Sequence, residues 1–179
     1  MAAIALFALL TPLSALATDR DVGELTPRER IFLGGSLGFQ FGTFNTTLGI
    51  HLHGGYLVTN RLMLGVGGNY QYMSFSAVDS RYTSHIYGAG AFARYAIVAG
   101  FFAHAEFERL NLQSSPPEGE DPGNRPRITE NNYLVGAGYT LGASSRVRLN
   151  LMLLYNLNDS SQVYYENPFF RVGVDVFIF

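Results

Sequence analysis

The sequence contains no cysteine, and only 15% of its 179 residues are charged. The lack of cysteine excludes disulfide bonds and thiol catalysis. Ordinary soluble proteins have about 25% charged residues, so this chain is poor in charge. Its formal net charge is −2. Nucleic-acid binding requires clustered positive charge, so this balance disfavours a nucleic-acid partner.

Long hydrophobic runs are also missing. Outside the N-terminus no apolar run approaches the ~18 residues that a spanning helix needs, which disfavours a helical membrane protein. Residues 1–17 are apolar and end in Ala15-Leu16-Ala17. Signal peptidase accepts this small-x-small ending, so the stretch predicts an export signal that is cleaved before Thr18. A short buried helix is the alternative, and Pro12 weakens it because helix interiors tolerate proline poorly.

From Ile31 onward, apolar residues alternate with small or polar residues in segments separated by turn-forming stretches. Membrane-spanning strands show this period of two and need about 9 to 11 residues when tilted. We therefore predict an all-β fold, an eight-stranded antiparallel up-and-down transmembrane β-barrel. The chain has room for one domain, which we place at 31–179 after a periplasmic N-terminal segment at 18–30. The predicted strands are 31–41, 47–58, 62–73, 83–96, 101–112, 130–141, 146–156 and 169–179.

The two faces of these strands differ in polarity, which distinguishes a membrane barrel from a soluble lipocalin-like barrel. One face collects aliphatic and aromatic residues such as Leu33, Ile50 and Tyr133, and we assign it to lipid. The other face collects charges of both signs together with glycines such as Gly34 and Gly38, which make space for long lumen side chains. Large apolar residues also point inward, namely Phe92, Phe102, Leu134, Met152, Leu154 and Phe177. The interior is then packed, without room for an aqueous channel.

Nine inward residues predict a polar network in the lumen: His51, His53, Arg94, His104, Glu106, Glu108, Arg148, Arg171 and Asp175. Arg94 and Glu106 lie a diagonal step apart on neighbouring strands, so we expect them to pair. Arg148 and Asp175 should share a level on two adjacent strands. His51, His53 and His104 are candidate metal ligands, but a metal site needs three or four converging ligands that spacing alone does not show. We favour a hydrogen-bonded network and assign no metal, cofactor or catalytic residue.

The connections alternate in length, which orients the barrel. The connections 42–46, 74–82, 113–129 and 157–168 are longer than those at 59–61, 97–100 and 142–145. Membrane barrels have short periplasmic turns and longer external loops. This alternation predicts an outer-membrane location with both chain termini in the periplasm. Tyrosines at the strand ends predict aromatic girdles at the two membrane surfaces.

The opening strand, Arg30-Ile-Phe-Leu-Gly-Gly-Ser-Leu-Gly-Phe-Gln-Phe-Gly42, resembles that of small outer-membrane barrels of Gram-negative bacteria. The resemblance extends through Phe102-Ala-His-Ala-Glu106 and Asn167-Pro-Phe-Phe-Arg-Val-Gly173, and it covers most of the mature chain. It implies a barrel of the OmpA/OmpX type, in a family without an assigned biochemical activity. Some members carry the label α-ketoglutarate decarboxylase, a chemistry that would need a far longer chain. Phe179 resembles the C-terminal aromatic residue that the outer-membrane assembly machinery recognises.

Several classes of function stay open at this point. The first is a structural or interaction barrel whose external loops meet outer-membrane lipid, lipopolysaccharide or another envelope protein. The second is a lipid-modifying enzyme, a hydrolase or acyltransferase, with His85, Ser84 and Ser80 near the outer rim. No acid lies at a suitable spacing beside His85, so we interpret it as part of an aromatic girdle. The filled interior disfavours a pore, and a subunit of a larger envelope complex is a further alternative.

Overall fold

The computed structural model describes residues 21–41, 45–77, 80–113, 127–142, 146–158 and 167–178. Each strand pairs with its sequence neighbour, and the eighth pairs with the first to close a barrel. Closure leaves no unpaired strand edge and confirms the predicted eight-stranded antiparallel barrel. The predicted export signal and Phe179 lie outside the described residues. The strands are β1 (Ile31–Phe41), β2 (Asn45–Leu57), β3 (Leu62–Ala77), β4 (Ser80–Val98), β5 (Phe101–Gln113), β6 (Arg127–Gly142), β7 (Val147–Asn156) and β8 (Phe169–Phe177).

Burial alternates along the strands because successive side chains point to opposite faces of a sheet. In β8, Arg171 and Asp175 are buried, whereas Val172 and Val174 between them are exposed. On the outer wall, Leu52 and Val66 each keep 66% of their surface exposed. Water-soluble monomers rarely expose contiguous apolar surface on this scale, and a lipid-facing wall requires it. The outside of the barrel is therefore its lipid face, as the alternation predicted.

The third and fourth strands are longer than predicted. They span 16 and 19 residues, so only positions 78 and 79 lie between them. Our prediction of an external loop at 74–82 was wrong. The ladder continues from the pair Met73 and Ser84 to the pair Ala77 and Ser80. Tyrosine and threonine in this stretch favour a pleated strand, so both strands extend into the predicted loop.

The connection between β4 and β5 is a tight hairpin turn at Ala99 and Gly100. Both residues have positive φ, 47° and 87° respectively. Positive φ at both central positions is the type I′ geometry, whose twist matches that of paired strands. A Cβ atom on Gly100 would lie 2.9 Å from Cε2 of Tyr139. Glycine is therefore required here both for its backbone conformation and for the close approach of a ring.

The segment before β1 folds over the end of the barrel where β1 begins and β8 ends, which we call the terminal end. It contains a short 3₁₀ helix, Val22–Glu24, and buries Val22 and Leu25. These two side chains join an apolar cluster with the lumen residues Phe32, Leu57, Met63, Phe92 and Phe177. We call residues 21–25 the terminal cap. The sequence predicted a segment at 18–30 but gave no sign that part of it enters the barrel core.

Asn60, in the turn between β2 and β3, fastens the terminal cap. Its Oδ1 accepts a hydrogen bond from the backbone N of Val22 at 2.7 Å, and its Nδ2 donates to Oδ1 of Asp21 at 2.7 Å. The bond from Asn60 holds the pKa of the Asp21 carboxyl below its ordinary value. No helix among the described residues is long and apolar enough to cross a membrane.

Candidate functional site: the charged lumen

The nine residues that the sequence assigned to the lumen are all buried in the barrel interior. Beside the apolar cluster at the terminal end, a second apolar cluster fills part of the lumen. It contains Met73, Ile86, Phe102, Leu110, Leu112, Leu134, Met152, Leu154 and Phe169. The charged groups therefore lie away from bulk solvent, where an ion is stable only if it is paired and hydrogen-bonded.

Asp175 of β8 is one centre of the network. Its Oδ2 accepts from Nη1 of Arg94 at 2.6 Å and from Nδ2 of Asn150 at 2.8 Å. Its Oδ1 lies 2.6 Å from Nε2 of His53. An ionised carboxylate has about four acceptor positions. Three of them are used by side chains from β4, β7 and β2, so Asp175 joins three sectors of the barrel wall.

Gly34 makes the contact between His53 and Asp175 possible. In the strand register it lies directly opposite His53 on β2 and directly opposite Asp175 on β8. A Cβ atom on Gly34 would lie 2.4 Å from Nε2 of His53 and 2.7 Å from Oδ1 of Asp175. The imidazole therefore reaches the carboxylate over a strand position that has no side chain. This is the physical use of an inward glycine that the sequence predicted.

Glu106 of β5 is the second centre. Its Oε2 accepts from Nη1 of Arg171 at 2.6 Å and lies 2.9 Å from Nε2 of His104. Its Oε1 lies 3.4 Å from Nε2 of His51 and has no hydrogen-bond partner among the residues that the structure describes. Only one oxygen of this carboxylate is therefore well satisfied.

Glu108 extends the same side of the network. Its Oε1 accepts from Nδ2 of Asn69 at 2.8 Å and lies 3.4 Å from Nη2 of Arg171. From β8, Arg171 thus reaches two carboxylates that lie two residues apart on the inner face of β5. Its bond to Glu106 is much the shorter of the two, so we expect that contact to carry more of the interaction.

His104 connects the two centres. Nε of Arg94 donates to its Nδ1 at 3.3 Å, so Nδ1 is an acceptor and the proton belongs on Nε2. That nitrogen then donates to Glu106. A continuous path of hydrogen bonds therefore runs from His53 and Asp175 through Arg94 and His104 to Glu106.

The predicted pairing of Arg94 with Glu106 is wrong. The guanidinium of Arg94 instead binds Asp175 on β8, and Arg171 takes the place on Glu106. The register puts Arg94 beside His104, and Phe92 beside Glu106. His104 therefore stands between the two expected partners. In a barrel this narrow a long side chain reaches past its neighbouring strands to the opposite wall.

Arg148 and Asp175 do share a level, because they are register partners on β7 and β8. The guanidinium carbon of Arg148 lies 4.4 Å from the centroid of the Phe177 ring. Three lumen arginines thus accompany three lumen carboxylates. Their formal charges cancel, which limits the electrostatic cost of burying them.

Metal ligation was the alternative for these histidines. The structure does not gather His51, His53 and His104 on one point, because His53 binds Asp175 and His104 binds Glu106. A different trio, His51, Glu106 and Glu108, brings one ligand atom each within 4.8 Å of one another. Arg171 already contacts both of these carboxylates. The guanidinium of Arg171 therefore already supplies the positive charge beside these two carboxylates. A metal ion bound by them would lie close to that positive charge.

A cavity of about 30 Å³ lies beside His51, Asn69 and Arg171. A single water needs roughly 10 to 15 Å³ of such volume, so about two water molecules fit. Thr47 also lines the cavity, and its Oγ1 has no hydrogen-bond partner among the described residues. Water is the natural partner for this hydroxyl. The space is far too small for a drug-sized ligand.

Of the residues considered for lipid chemistry, Ser84 and His85 lie on opposite faces of the barrel wall. Ser84 is buried and faces the lumen, whereas His85 is exposed on the outer wall. Adjacent residues of a strand point to opposite faces, so the two side chains cannot meet. Nδ1 of His85 lies 2.6 Å from Oη of Tyr70, and its ring packs at 5.6 Å against that of Tyr72. The side chain of Ser80 lies outside the described residues.

No protein-family model matches the sequence, and no curated protein matches it. Solved structures of similar fold are found. A de novo designed transmembrane β-barrel is 12% identical, with a TM-score of 0.44, over 85% of this chain and 97% of that one. The outer membrane protein Ail of Yersinia pestis is 12% identical, with a TM-score of 0.46, over 81% and 97% of the two chains. The N-terminal β-barrel domain of Pseudomonas aeruginosa OprF is 13% identical, with a TM-score of 0.41, over 83% and 96%.

The assignment of this chain rests on its own architecture. The eight strands close on themselves, the outer wall is lined mainly by apolar side chains, and six charged side chains are buried in the lumen. This is the polarity of a barrel whose solvent is lipid, because a soluble barrel places its charges outside. The chain is a small eight-stranded transmembrane β-barrel of the outer-membrane type.

Proposed function

We propose that this chain is an integral outer-membrane barrel that forms no open pore and acts as a structural or interaction protein through its outer wall and external loops. Its partners are outer-membrane lipid and lipopolysaccharide, together with an envelope protein at the loops. Both chain termini lie in the periplasm, and the outer-membrane assembly machinery inserts the chain. The end of the barrel opposite the terminal end, which we call the loop end, then faces outward.

The bond between Arg94 and Asp175 is the observation that carries the proposal. Arg94 is on β4 and Asp175 is on β8, which are four strands apart in either direction around the barrel. Their 2.6 Å contact therefore crosses the full width of the lumen. Arg171 and Glu106 make a second crossing, from β8 to β5. Side chains that meet across the centre stand in the path that ions would take through the lumen.

The terminal cap also supports the absence of an open pore, because it lies over the terminal end of the lumen. Val22 and Leu25 cover the apolar side chains of Phe32 and Phe177 at the terminal end. An ion would have to displace this apolar layer as well as the charged network. Burying a charge in such a layer without a partner costs several kcal/mol or more.

Planar-bilayer recording on the purified monomer tests the absence of a pore. We expect no stable conductance steps, whereas a porin reconstituted under the same conditions should conduct and so prove the sensitivity of the measurement. Reproducible ohmic steps from this barrel would contradict the proposal.

Cell fractionation tests the location. We expect the protein in the outer-membrane fraction, with a gel mobility that changes on boiling because a closed barrel resists detergent. Recovery as a soluble periplasmic protein would contradict this part. Gentle detergent extraction followed by identification of co-purifying proteins then tests for the envelope partner.

A further inference from the structure

We propose that Arg109 and Arg127 form a binding site for lipid-borne phosphate groups on the outer wall near the loop end. This inference rests on the proposed function, because it requires the barrel to be embedded in a bilayer. It names the part of the outer wall that meets lipid headgroups and the chemistry that recognises them.

The outward face of β5 changes from apolar to polar at Arg109. From Phe101 the exposed residues are apolar as far as Phe107, after which Arg109 and Asn111 follow. On β6 the change comes at the same level, because Asn131 is the register partner of Arg109 and lies next to the outward Tyr133. The strand from Phe101 to Arg109 rises about 27 Å along its axis. At a tilt of about 40° this is roughly 21 Å across the membrane, close to the ~25 Å height of an apolar band. Arg109 therefore stands where hydrocarbon gives way to headgroups.

Arg127 is held in place on this same part of the wall. Its guanidinium carbon lies 4.4 Å from the centroid of the Tyr87 ring. Its Nη2 donates to the backbone oxygens of His85 at 3.2 Å and Asn111 at 3.3 Å, and its Nε donates to Oδ1 of Asn111. A guanidinium fixed by a ring and three acceptors loses little freedom when a ligand binds.

Neither arginine has an acidic partner among the described residues. The groups that hold Arg127 are an aromatic ring, an amide and two carbonyls, all of them neutral. Within the described part of the chain both positive charges are thus uncompensated, and both side chains are exposed. Nε and Nη2 of Arg127 already donate to His85 and Asn111, so phosphate would bind through the Nη1 donors, for which no partner lies among the described residues. Anionic phosphate is the complementary ligand, and lipid headgroups carry it at this depth.

The test measures lipid retention. Purified protein in detergent is mixed with diphosphorylated lipid A, or with the same lipid after removal of its phosphates, and bound lipid is counted by native mass spectrometry. An arginine near a membrane surface contributes about 1 kcal/mol of binding, which is about fivefold in affinity. We expect Arg109→Gln and Arg127→Gln each to weaken retention of the phosphorylated lipid about fivefold, and the double variant about 25-fold.

Two further variants distinguish a specific phosphate site from nonspecific attraction to positive surface charge. Arg61→Gln removes an exposed arginine at the terminal end and should leave retention unchanged. Tyr87→Leu keeps both charges but removes the ring beneath Arg127, and it should weaken retention. All variants should keep the boiling-dependent gel shift, because every substituted side chain lies on the surface.

Three results would overturn the site. Equal retention of the two lipids would show that phosphate is not recognised. An equal loss in Arg61→Gln would show that any surface charge suffices. Displacement of the lipid by millimolar inorganic phosphate would show that the ligand is free and not lipid-borne. Each of these results leaves the absence of conductance untouched, whereas conductance steps with intact lipid selectivity would contradict the proposed function alone.

Discussion

Nη1 of Arg94 and Oδ2 of Asp175 meet at 2.6 Å across the width of the barrel, although 81 residues separate them in the chain. The contact joins the fourth strand to the eighth, and no ladder hydrogen bond connects these strands directly. It therefore couples opposite walls of the barrel. Arg171 and Glu106 likewise join β8 to β5 across the lumen. Two ion pairs therefore cross the lumen from β8, which supplies the carboxylate in one pair and the guanidinium in the other.

A double-mutant cycle on Arg94 and Asp175 should be strongly non-additive. Removing one member of a buried pair leaves the other charge unpaired, at a cost of roughly 3 to 5 kcal/mol in the free energy of unfolding. Arg94→Leu combined with Asp175→Leu should recover much of that loss. Urea unfolding in detergent, followed by the boiling-dependent gel shift, measures the midpoints. The matched control is Arg94→Leu with Glu106→Leu, whose coupling should be smaller because these two do not touch. Additive losses on the Arg94 and Asp175 pair would contradict the contact.

Glu106→Gln should destabilise the barrel more than Glu108→Gln. The first substitution removes the charge that faces Arg171 at 2.6 Å, whereas the second removes one at 3.4 Å. Charge-assisted hydrogen bonds weaken as they lengthen, so we expect a difference of about 1 to 2 kcal/mol in the free energy of unfolding. Both variants keep the size of the side chain, which makes each the control for the other. The reverse order would show that Arg171 depends mainly on Glu108.

Gly34→Ala should be poorly tolerated, whereas Gly38→Ala on the same face of β1 should be accepted. A Cβ atom on Gly34 would meet Nε2 of His53 at 2.4 Å and the backbone oxygen of Val174 at 2.5 Å. A Cβ atom on Gly38 would have nothing within 4 Å. Overpacking of this kind costs about 1 to 3 kcal/mol. Urea midpoints of the two variants measure the difference, and equal midpoints would mean that the wall can move at Gly34.

Asn60→Ala should release the terminal cap without unfolding the barrel. The substitution removes the hydrogen bond to the backbone of Val22 and the one to the carboxyl of Asp21. Hydrogen exchange of the amide of Val22, measured by NMR in detergent, should accelerate, while the amides of the strands stay protected. Thr59→Ala, in the same turn, is the control because Thr59 does not contact the cap in the described part of the chain. Unchanged exchange at Val22 would mean that the apolar contacts alone hold the cap.

Acid should weaken the hydrogen bond between Asn60 and the carboxyl of Asp21. The bond from Asn60 lowers the pKa of Asp21, so the ionised carboxyl is favoured in the folded protein. Its contribution is therefore fully present at neutral pH and is lost as the pH falls through that lowered pKa. Exchange at Val22 should rise over this acid range in the natural protein. In Asp21→Asn, which cannot ionise, the same acid step should be missing.

The alternation of residues determined which side chains face lipid and which face the lumen. This worked because the period of two in a strand is a local property of the backbone, and because lipid on one side and a narrow lumen on the other demand opposite chemistry. Val172, Arg171 and Asp175 could therefore be placed from neighbouring residues alone. The strand count and the closed antiparallel order followed from the same pattern.

Only the tertiary structure decided which charges meet. Arg94 lies close to Glu106 along the strands, yet its partner is Asp175 on the opposite wall, because His104 occupies the intervening position and the barrel is narrow. The terminal cap was likewise decided by the tertiary structure. Val22 and Leu25 enter the core because the barrel end presents Phe32 and Phe177. Distances across a closed barrel depend on its diameter and stagger, which are properties of all eight strands together and are not encoded by any one segment.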